Sequence, residues 1–275
     1  MAEKSANTPS APPQYDLLGY HLGYARIGPG KASHASPGAS PSRYYCIWDK
    51  APKTRSNGSG SDILTRFDRK IRLLAACLSA LAGFVDALAF LKLGGFFVSF
   101  MSGNSTRFSV GLAQGSWNAA IAGGLIATFV VGVVFGSLAG AAAGAYRRPA
   151  VLVLVTFLLG IAATFSLAGH TNLAVGAMAL AMGAENAVFE ERGEVRIGLT
   201  YMTGALVKMG QRLASAAMGG DRFAWTPYLL LWAGLVCGAV AGAAAYHALA
   251  LSALWIAVFA AGALAATAAF IGPND

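Results

Sequence analysis

Two carboxylate side chains lie within apolar segments of the chain, where they could bind a proton or an ion. Asp86 interrupts the first long apolar segment, and Glu185, followed by Asn186, lies near the end of another. An ionisable side chain inside a spanning helix costs roughly 2.5–3.5 kcal/mol on insertion scales, and such groups usually face a cavity, a partner or a proton pathway. We therefore predict a proton- or ion-coupling site at Asp86, Glu185 and Asn186. The alternative is a structural role at the membrane interface.

Two short motifs of serine, threonine, asparagine and glycine follow these carboxylates, each with a basic residue four positions after its glycine. Side chains of these polar types cap helix N-termini, and glycine lets the backbone turn. A helix that begins within the bilayer presents free N–H groups and the positive end of its dipole. We predict a pair of electropositive sites for a small solute, with an anion as the leading interpretation. The alternative is close helix packing at the glycines. The predicted substrate-binding residues are Ser102, Gly103, Asn104, Arg107, Thr203, Gly204 and Lys208.

The sequence lacks the motifs of common catalytic and metal centres. His-Glu-x-x-His, Gly-x-Ser-x-Gly and the Walker sequence are absent, and Cys46, Cys77 and Cys237 form no Cys-x-x-Cys pair. We predict no catalytic residue, no metal and no cofactor, and therefore a protein that is not an enzyme.

The elements that must position these residues are long apolar helices. Charged residues make up 12% of the chain and hydrophobic residues 56%, with a mean hydropathy of +0.57. Soluble domains carry about 25% charged residues, and a spanning helix needs about 20 apolar residues. The composition excludes an ordinary soluble enzyme and predicts an all-α membrane protein in contact with the lipid bilayer. The six predicted transmembrane helices are 71–91, 120–145, 150–168, 173–189, 226–246 and 250–271.

Two further segments, 94–115 and 197–218, are too polar for a lipid-facing helix, and they contain the two motifs described above. Irregular backbone at membrane depth is tolerated only where it is buried in protein or lines water. We therefore predict that each is a broken or re-entrant segment.

The chain divides into a tail and a membrane domain. Residues 1–62 are rich in proline, serine and glycine, which predicts a disordered cytoplasmic tail, and residues 63–275 form the polytopic membrane domain. The first 72 residues contain 11 of the 20 basic and 5 of the 12 acidic residues. Because this basic region adjoins apolar segments, the net charge of +8 favours contact with anionic lipid and not with nucleic acid.

An internal repeat extends over the membrane domain, with repeat one at about 70–168 and repeat two at about 173–271. Residues 99–103 and 200–204 share the pattern [Ser/Thr]-[Phe/Tyr]-Met-[Ser/Thr]-Gly at an offset of 101. Three predicted spans per repeat is an odd number, so the two copies must have opposite orientations. The positive-inside rule then predicts that both the N-terminus and the C-terminus are cytoplasmic.

Glycines spaced four residues apart provide a packing face in each repeat. Such faces let helices approach closely, and here they would join the two repeats or two protomers of a homo-oligomer. These glycines match at an offset of 102, and they are Gly132, Gly136, Gly140, Gly234, Gly238 and Gly242.

The motifs resemble those of the YoaK-like family of bacterial membrane proteins. The sequences are Ala-Gly-Phe-Val-Asp-Ala at 82–87, Met-Ser-Gly-Asn at 101–104 and Ala-Met-Gly-Ala-Glu-Asn-Ala at 181–187. Glu185 departs from the family pattern, which usually has glutamine before the asparagine. The resemblance covers residues 70–270 and implies about six spans in the bacterial inner membrane, with an uncharacterised function.

These observations favour a small-solute transporter or channel, coupled to protons in one version of the hypothesis. The two half-helix ends would bind the solute, and Asp86 would bind the proton. The alternative is a membrane scaffold or assembly factor that transports nothing, with the tail recruiting soluble partners.

Overall fold

The structure is a computed structural model that describes residues 69–191 and 194–272. The predicted tail at 1–62 lies outside the described residues. The described part of the chain is almost entirely helical. Its α-helices are α1 (Arg69–Leu93), α2 (Met101–Ala113), α3 (Asn118–Ala143), α4 (Arg147–Leu167), α5 (Thr171–Glu185), α6 (Met202–Ala217), α7 (Thr226–Leu249) and α8 (Leu254–Ile271).

Short elements join or extend several of these helices. Single 3-10 turns follow α3 at Gly144–Tyr146, α5 at Asn186–Phe189 and α7 at Ala250–Ala253. After α5, strand β1 (Glu190–Glu191) pairs antiparallel with β2 (Glu194–Val195). Sharp reversals occur where the backbone has a positive φ, as at Gly169 between α4 and α5, with a φ of 80°, a conformation that glycine adopts without a steric penalty.

Four helical stretches are long and apolar enough to cross a membrane, judged by length and composition. They are Arg69–Leu93, Asn118–Leu167, Thr171–Phe189 and Thr226–Ile271. The second and fourth are 50 and 46 residues long, about twice what one crossing needs, and each contains two α-helices joined by a 3-10 turn. A helix therefore occupies the place of every span predicted from the sequence.

Helices α1 and α7 run side by side in the same direction, in backbone contact. A Cβ atom added to Gly234 or Gly238 would overlap the carbonyl group of Ala76 or Ala80 respectively, one turn apart along both helices. Gly83 of α1 makes the same kind of contact in the other direction, because a Cβ there would overlap the carbonyl of Leu235 in α7. Only glycine permits this approach, so the predicted packing role of these residues is confirmed.

Helices α3 and α5 pack in the same way. Gly132 and Gly136 lie against the carbonyls of Leu180 and Ala184, and Gly183 lies against the carbonyl of Phe129. The predicted homo-oligomer contact through the glycine faces needs correction here, because the faces of α3 and α7 are already covered by α5 and α1 of the same chain.

Helices α2 and α6 are shorter than the others. They have 13 and 16 residues, which corresponds to about 20 and 24 Å, less than the roughly 30 Å of a hydrocarbon core. Helix α2 packs on α3 and α6 packs on α7, and each follows a non-helical linker, 94–100 or 196–201. The prediction of two interrupted polar segments agrees with this arrangement.

The starts of these two helices differ from the sequence prediction. Phe100 and Tyr201 occupy the N-cap positions, and neither makes a side-chain cap hydrogen bond. Gly103 lies inside the first turn of α2, whereas the reversal before that helix uses Gly94 and Gly95, with φ values of 67° and 110°. Because the chain reverses at Gly94 and Gly95 and no side chain caps α2, the polar residues of the first motif do not start that helix.

Candidate functional site

A cavity of about 720 Å³ lies between α1, α7, the linker before α2 and the start of α6. Glycine, alanine, valine, leucine, methionine and phenylalanine form most of its wall. The polar residues at the wall are Asp86 and Ser99 from the first half and Thr200 from the second. It is the largest of the described cavities to combine apolar walls with buried polar groups, which is the usual character of a small-molecule site.

Asp86 fastens the first linker to α1. Its Oδ1 accepts hydrogen bonds from the backbone N–H groups of Val98 and Ser99, at 2.7 and 2.8 Å, and its Oδ2 accepts one from the hydroxyl of Ser99. The side chain is 8% exposed. The position of Asp86 within an apolar segment therefore correctly predicted that its carboxyl group is buried. The three hydrogen-bond donors to this carboxyl group belong to the linker after α1 and were not predicted.

Asn186 makes the corresponding link in the second half. The hydroxyl of Thr200 donates to Asn186 Oδ1 at 3.1 Å, and Asn186 Nδ2 donates to the carbonyl of Met182 at 2.9 Å. Both halves thus join the end of a long helix to the linker through one side chain and one hydroxyl residue. The first link uses a carboxylate and the second an amide.

Glu185 is the least satisfied polar side chain of the site. It is fully buried, with 0% exposure, and neither of its carboxyl oxygens has a hydrogen-bond partner among the described residues. Burial of an unpaired carboxyl is costly, so a side chain kept in this state is a candidate for binding a proton or a cation.

The two predicted basic residues do not reach the cavity. The Arg107 guanidinium lies 5.0 Å from the ring centroid of Phe96 and against Gly95. Lys208 Nζ lies 5.9 Å from the ring centroid of Tyr228, in a separate pocket of about 240 Å³ that Gly204 also lines. The two predicted electropositive sites therefore lie apart from the cavity, and the second retains Gly204 and Lys208 in one pocket.

The remaining predicted binding residues also lie away from the cavity wall. Ser102 and Thr203 are exposed on the first turns of α2 and α6. Gly103 faces the rings of Phe97 and Phe100, which a Cβ would overlap, so the packing interpretation describes this glycine.

Asn104 is fully buried and holds the first linker in place. Its Oδ1 accepts the backbone N–H of Phe97 at 3.1 Å, and its Nδ2 donates to the Phe97 carbonyl at 2.6 Å. The amide group thus completes both backbone hydrogen bonds of one linker residue. This geometry describes a structural anchor.

Replacing Asn104 with alanine is expected to lower the free energy of unfolding by about 2 kcal/mol, because it leaves the half-buried N–H and C=O of Phe97 without their partner. The midpoint of thermal unfolding in detergent would measure the loss. Ser109→Ala is the matched control, since its hydroxyl bonds to an exposed carbonyl on the same helix and should leave the midpoint unchanged. Equal midpoints for the two variants would contradict the anchoring role.

A second polar cluster joins the end of α5 to the start of α4. Glu190 Oε2 accepts a hydrogen bond from the Ser137 hydroxyl and lies 3.3 Å from Arg147 Nη1. The side chains of Arg147 and Glu190 are each 15% exposed. Sequence reasoning missed this cluster, since its members are separated by up to 53 positions.

Ser99 and Thr200 were also missed, although a signal for them existed. They are the first residues of the repeated [Ser/Thr]-[Phe/Tyr]-Met-[Ser/Thr]-Gly pattern, and a hydroxyl shared by both copies pointed to a shared contact. Phe90, Phe97 and Phe100 line the same cavity, but apolar residues in an apolar sequence gave no comparable signal.

Long apolar helices that pack through backbone contacts, with short reversals between them, define a polytopic α-helical membrane protein. The chain belongs to a family described as a protein of unknown function (DUF1275), whose model matches residues 74–267. This is the YoaK-like family that the motifs resembled, so that prediction is confirmed. A UPF0700 transmembrane protein of Rhizobium meliloti (strain 1021) is 40% identical over 196 residues, which cover 71% of this chain and 84% of that protein. No solved structure matches.

Proposed function

We propose that this membrane protein is a small-solute transporter that works by alternating access, with two inverted repeats, in the bacterial inner membrane. One observation carries the proposal: the cavity lies beside the contact of α1 with α7, while the equivalent place beside the contact of α3 with α5 holds the Ser137–Glu190–Arg147 cluster. A transporter seen in one of its two states has this asymmetry.

Equivalent contacts in the two halves support the inverted repeat. Gly83 meets the carbonyl of Leu235, and Gly183 meets the carbonyl of Phe129, so α1 corresponds to α5 at an offset of 100 and α7 to α3 at an offset of 106. This correspondence pairs Gly132 with Gly238. The sequence offset of 102 had paired it with Gly234, which lies one helical turn earlier. Most of the extra residues lie between α6 and α7, where 218–225 replaces the shorter 114–117.

The same correspondence relates the cavity to the polar cluster. Phe90 and Ala243 line the cavity, and their equivalents are Glu190 and Ser137, which are hydrogen-bonded to each other. The hydrogen bond and the Arg147 ion pair thus stand at the position that corresponds to the cavity wall. We therefore assign the cluster as the inner gate and the cavity as the outward-facing site.

The basic residues support the orientation. Arg69 and Lys70 begin α1, and Arg147 and Arg148 begin α4, which places all four on one side if α1 and α3 each cross the membrane. The positive-inside rule assigns that side, and with it both termini, to the cytoplasm. Glu185 is the proposed proton-binding group, because it is buried and its carboxyl oxygens have no hydrogen-bond partner among the described residues.

Cysteine labelling tests alternating access without knowledge of the solute. The experiment replaces the three native cysteines and places single cysteines at equivalent sites, Ala239→Cys in the cavity and Val133→Cys behind the inner gate. Glu190→Gln removes the ion pair with Arg147 and should open the gate. We expect inside labelling at position 133 to rise, and outside labelling at position 239 to fall, each by about fivefold or more.

Glu194→Gln is the matched control for the gate variant, because Glu194 is an exposed carboxylate on the same hairpin, and it should change neither position. Labelling of both cysteines from both sides would identify a channel. No change in Glu190→Gln would favour the scaffold hypothesis and contradict transport.

A further inference from the structure

We infer that the cavity binds an organic cation with an apolar body, held by Asp86 and by the rings of Phe90, Phe97 and Phe100. The inference deepens the proposed function and rests on it for the view that the ligand is a transported solute. It replaces the anion of the sequence interpretation with a ligand of opposite charge.

The dimensions and wall of the cavity define the body of the ligand. A volume of about 720 Å³ lies within the range of sites for drug-sized molecules. Because the wall is apolar except at one end, a sugar, an amino acid or an inorganic ion would leave most of its polar groups unpaired, at a cost of about 1–3 kcal/mol for each buried group. A compact hydrocarbon or aromatic body fits such a wall.

The charge at the polar end favours a cation. The backbone N–H groups of Val98 and Ser99 both donate to Asp86 Oδ1, and donors of this kind favour the charged form of a carboxyl group. The described lining residues include no lysine or arginine, and Arg107 lies against Phe96 instead. The Asp86 carboxyl thus lies at the cavity wall with no basic residue among the described lining residues, which disfavours an anion and favours a cation.

Three aromatic rings strengthen this preference. The ring centroids of Phe90 and Phe97 are 5.1 Å apart, and those of Phe97 and Phe100 are 5.2 Å apart. All three residues line the cavity beside Asp86. Ring faces carry partial negative charge and attract ammonium-type cations, most strongly where water is excluded. A carboxylate next to clustered aromatic rings is thus suited to a bulky ammonium or phosphonium group.

Two ions of equal shape and opposite charge test the inference. The purified full-length protein in detergent is titrated with tetraphenylphosphonium and with tetraphenylborate, and the heat of binding gives each Kd. We expect saturable binding of the cation and none of the anion. Equal affinities would overturn the inference and would identify the cavity as an apolar niche for a lipid chain.

Variants assign the binding to the cavity. Asp86→Asn should weaken tetraphenylphosphonium binding by about thirtyfold or more, since it removes the charge. Asparagine can make this kind of link, because Asn186 makes the equivalent one in the second half. Phe90→Leu keeps the apolar wall and should weaken binding by about fivefold. Phe270→Leu, at a ring 90% exposed and outside the cavity, should change nothing.

The two proposals fail in different ways. Unchanged cation affinity in both Asp86→Asn and Phe90→Leu would overturn the ligand class even if the labelling experiment shows reciprocal access. Cation binding that depends on Asp86, together with labelling that does not change in Glu190→Gln, would support the binding site and contradict the proposed transport. Should Asp86→Asn fail to fold, the comparison of the two ions and the Phe90→Leu variant still decide the inference.

Discussion

Replacing Glu185 with methionine will stabilise the protein, whereas replacing Asp86 with leucine will destabilise it. Methionine has a similar length and removes a buried carboxyl that has no hydrogen-bond partner, which should raise the free energy of unfolding by about 1–2 kcal/mol. Leucine at position 86 leaves the N–H groups of Val98 and Ser99 and the hydroxyl of Ser99 unpaired. The expected loss is about 3 kcal/mol or more.

The midpoint of thermal unfolding in detergent measures both changes. Glu185→Gln and Asp86→Asn serve as polar controls of matched size, and we expect Asp86→Asn to lie close to the wild type because an amide still accepts the backbone N–H bonds. A drop in the midpoint for Glu185→Met would contradict the prediction, since it would mean that the carboxyl has a stabilising partner.

The opposite signs distinguish the roles of the two carboxyls. Asp86 contributes to stability by holding the linker, and it also faces the cavity. Glu185 is expected to cost stability, and violations of packing and hydrogen-bonding rules in natural proteins are expected mainly at functional sites. If labelling at position 239 depends on the pH of the buffer in the wild type and no longer does so in a stabilised Glu185→Met variant, the cost is linked to proton binding.

Replacing Gly238 with alanine is expected to prevent α1 and α7 from packing. The added Cβ would overlap the carbonyl oxygen of Ala80, and neither backbone can move without displacing the contacts at Gly234 and Gly83 on the same pair of helices. Overpacked sites usually lose 1–3 kcal/mol through side-chain adjustment, and a clash between backbones leaves less room, so we expect a loss of about 3 kcal/mol or more.

Gly160→Ala is the matched control for this prediction. Gly160 lies in the interior of α4, with nothing within 4 Å of an added Cβ, and alanine there should stabilise the helix by up to about 1 kcal/mol. Yield in membranes and the unfolding midpoint report both effects. If the two variants behave alike, the close contact of α1 and α7 is not present in solution.

The positions of the long helices could be predicted from the sequence because spanning segments depend on the length of apolar runs. Helix α1 differs from its predicted span by two residues at each end, and the polar segments after α1 and α5 are interrupted as expected. Serine, threonine and glycine in those segments correctly indicated non-helical backbone. They did not indicate which residue turns, and the structure uses Gly94 and Gly95 in place of Gly103.

The candidate site was predicted only in part, for a physical reason. A carboxyl side chain within an apolar segment is energetically unfavourable and stands out in the sequence, so Asp86 and Glu185 could be selected as candidate site residues. Arg107 and Lys208 were assigned to a binding site from spacing alone, yet spacing along a helix does not fix the direction of a long side chain, and both pack beside aromatic rings instead. The Glu190–Arg147 contact depends on tertiary structure and leaves no local pattern.

The difference between Asp86 and Asn186 has a consequence for how such a protein can evolve. Two identical chains that associate as a dimer must carry the same residue at both linker anchors, because one gene specifies both. A single chain that contains both halves is free of this restriction, and here one anchor is a carboxylate while the other is a neutral amide of nearly equal shape. Under the proposed duplication, joining the halves would therefore permit a division of labour, in which one anchor takes part in chemistry and the other preserves the architecture.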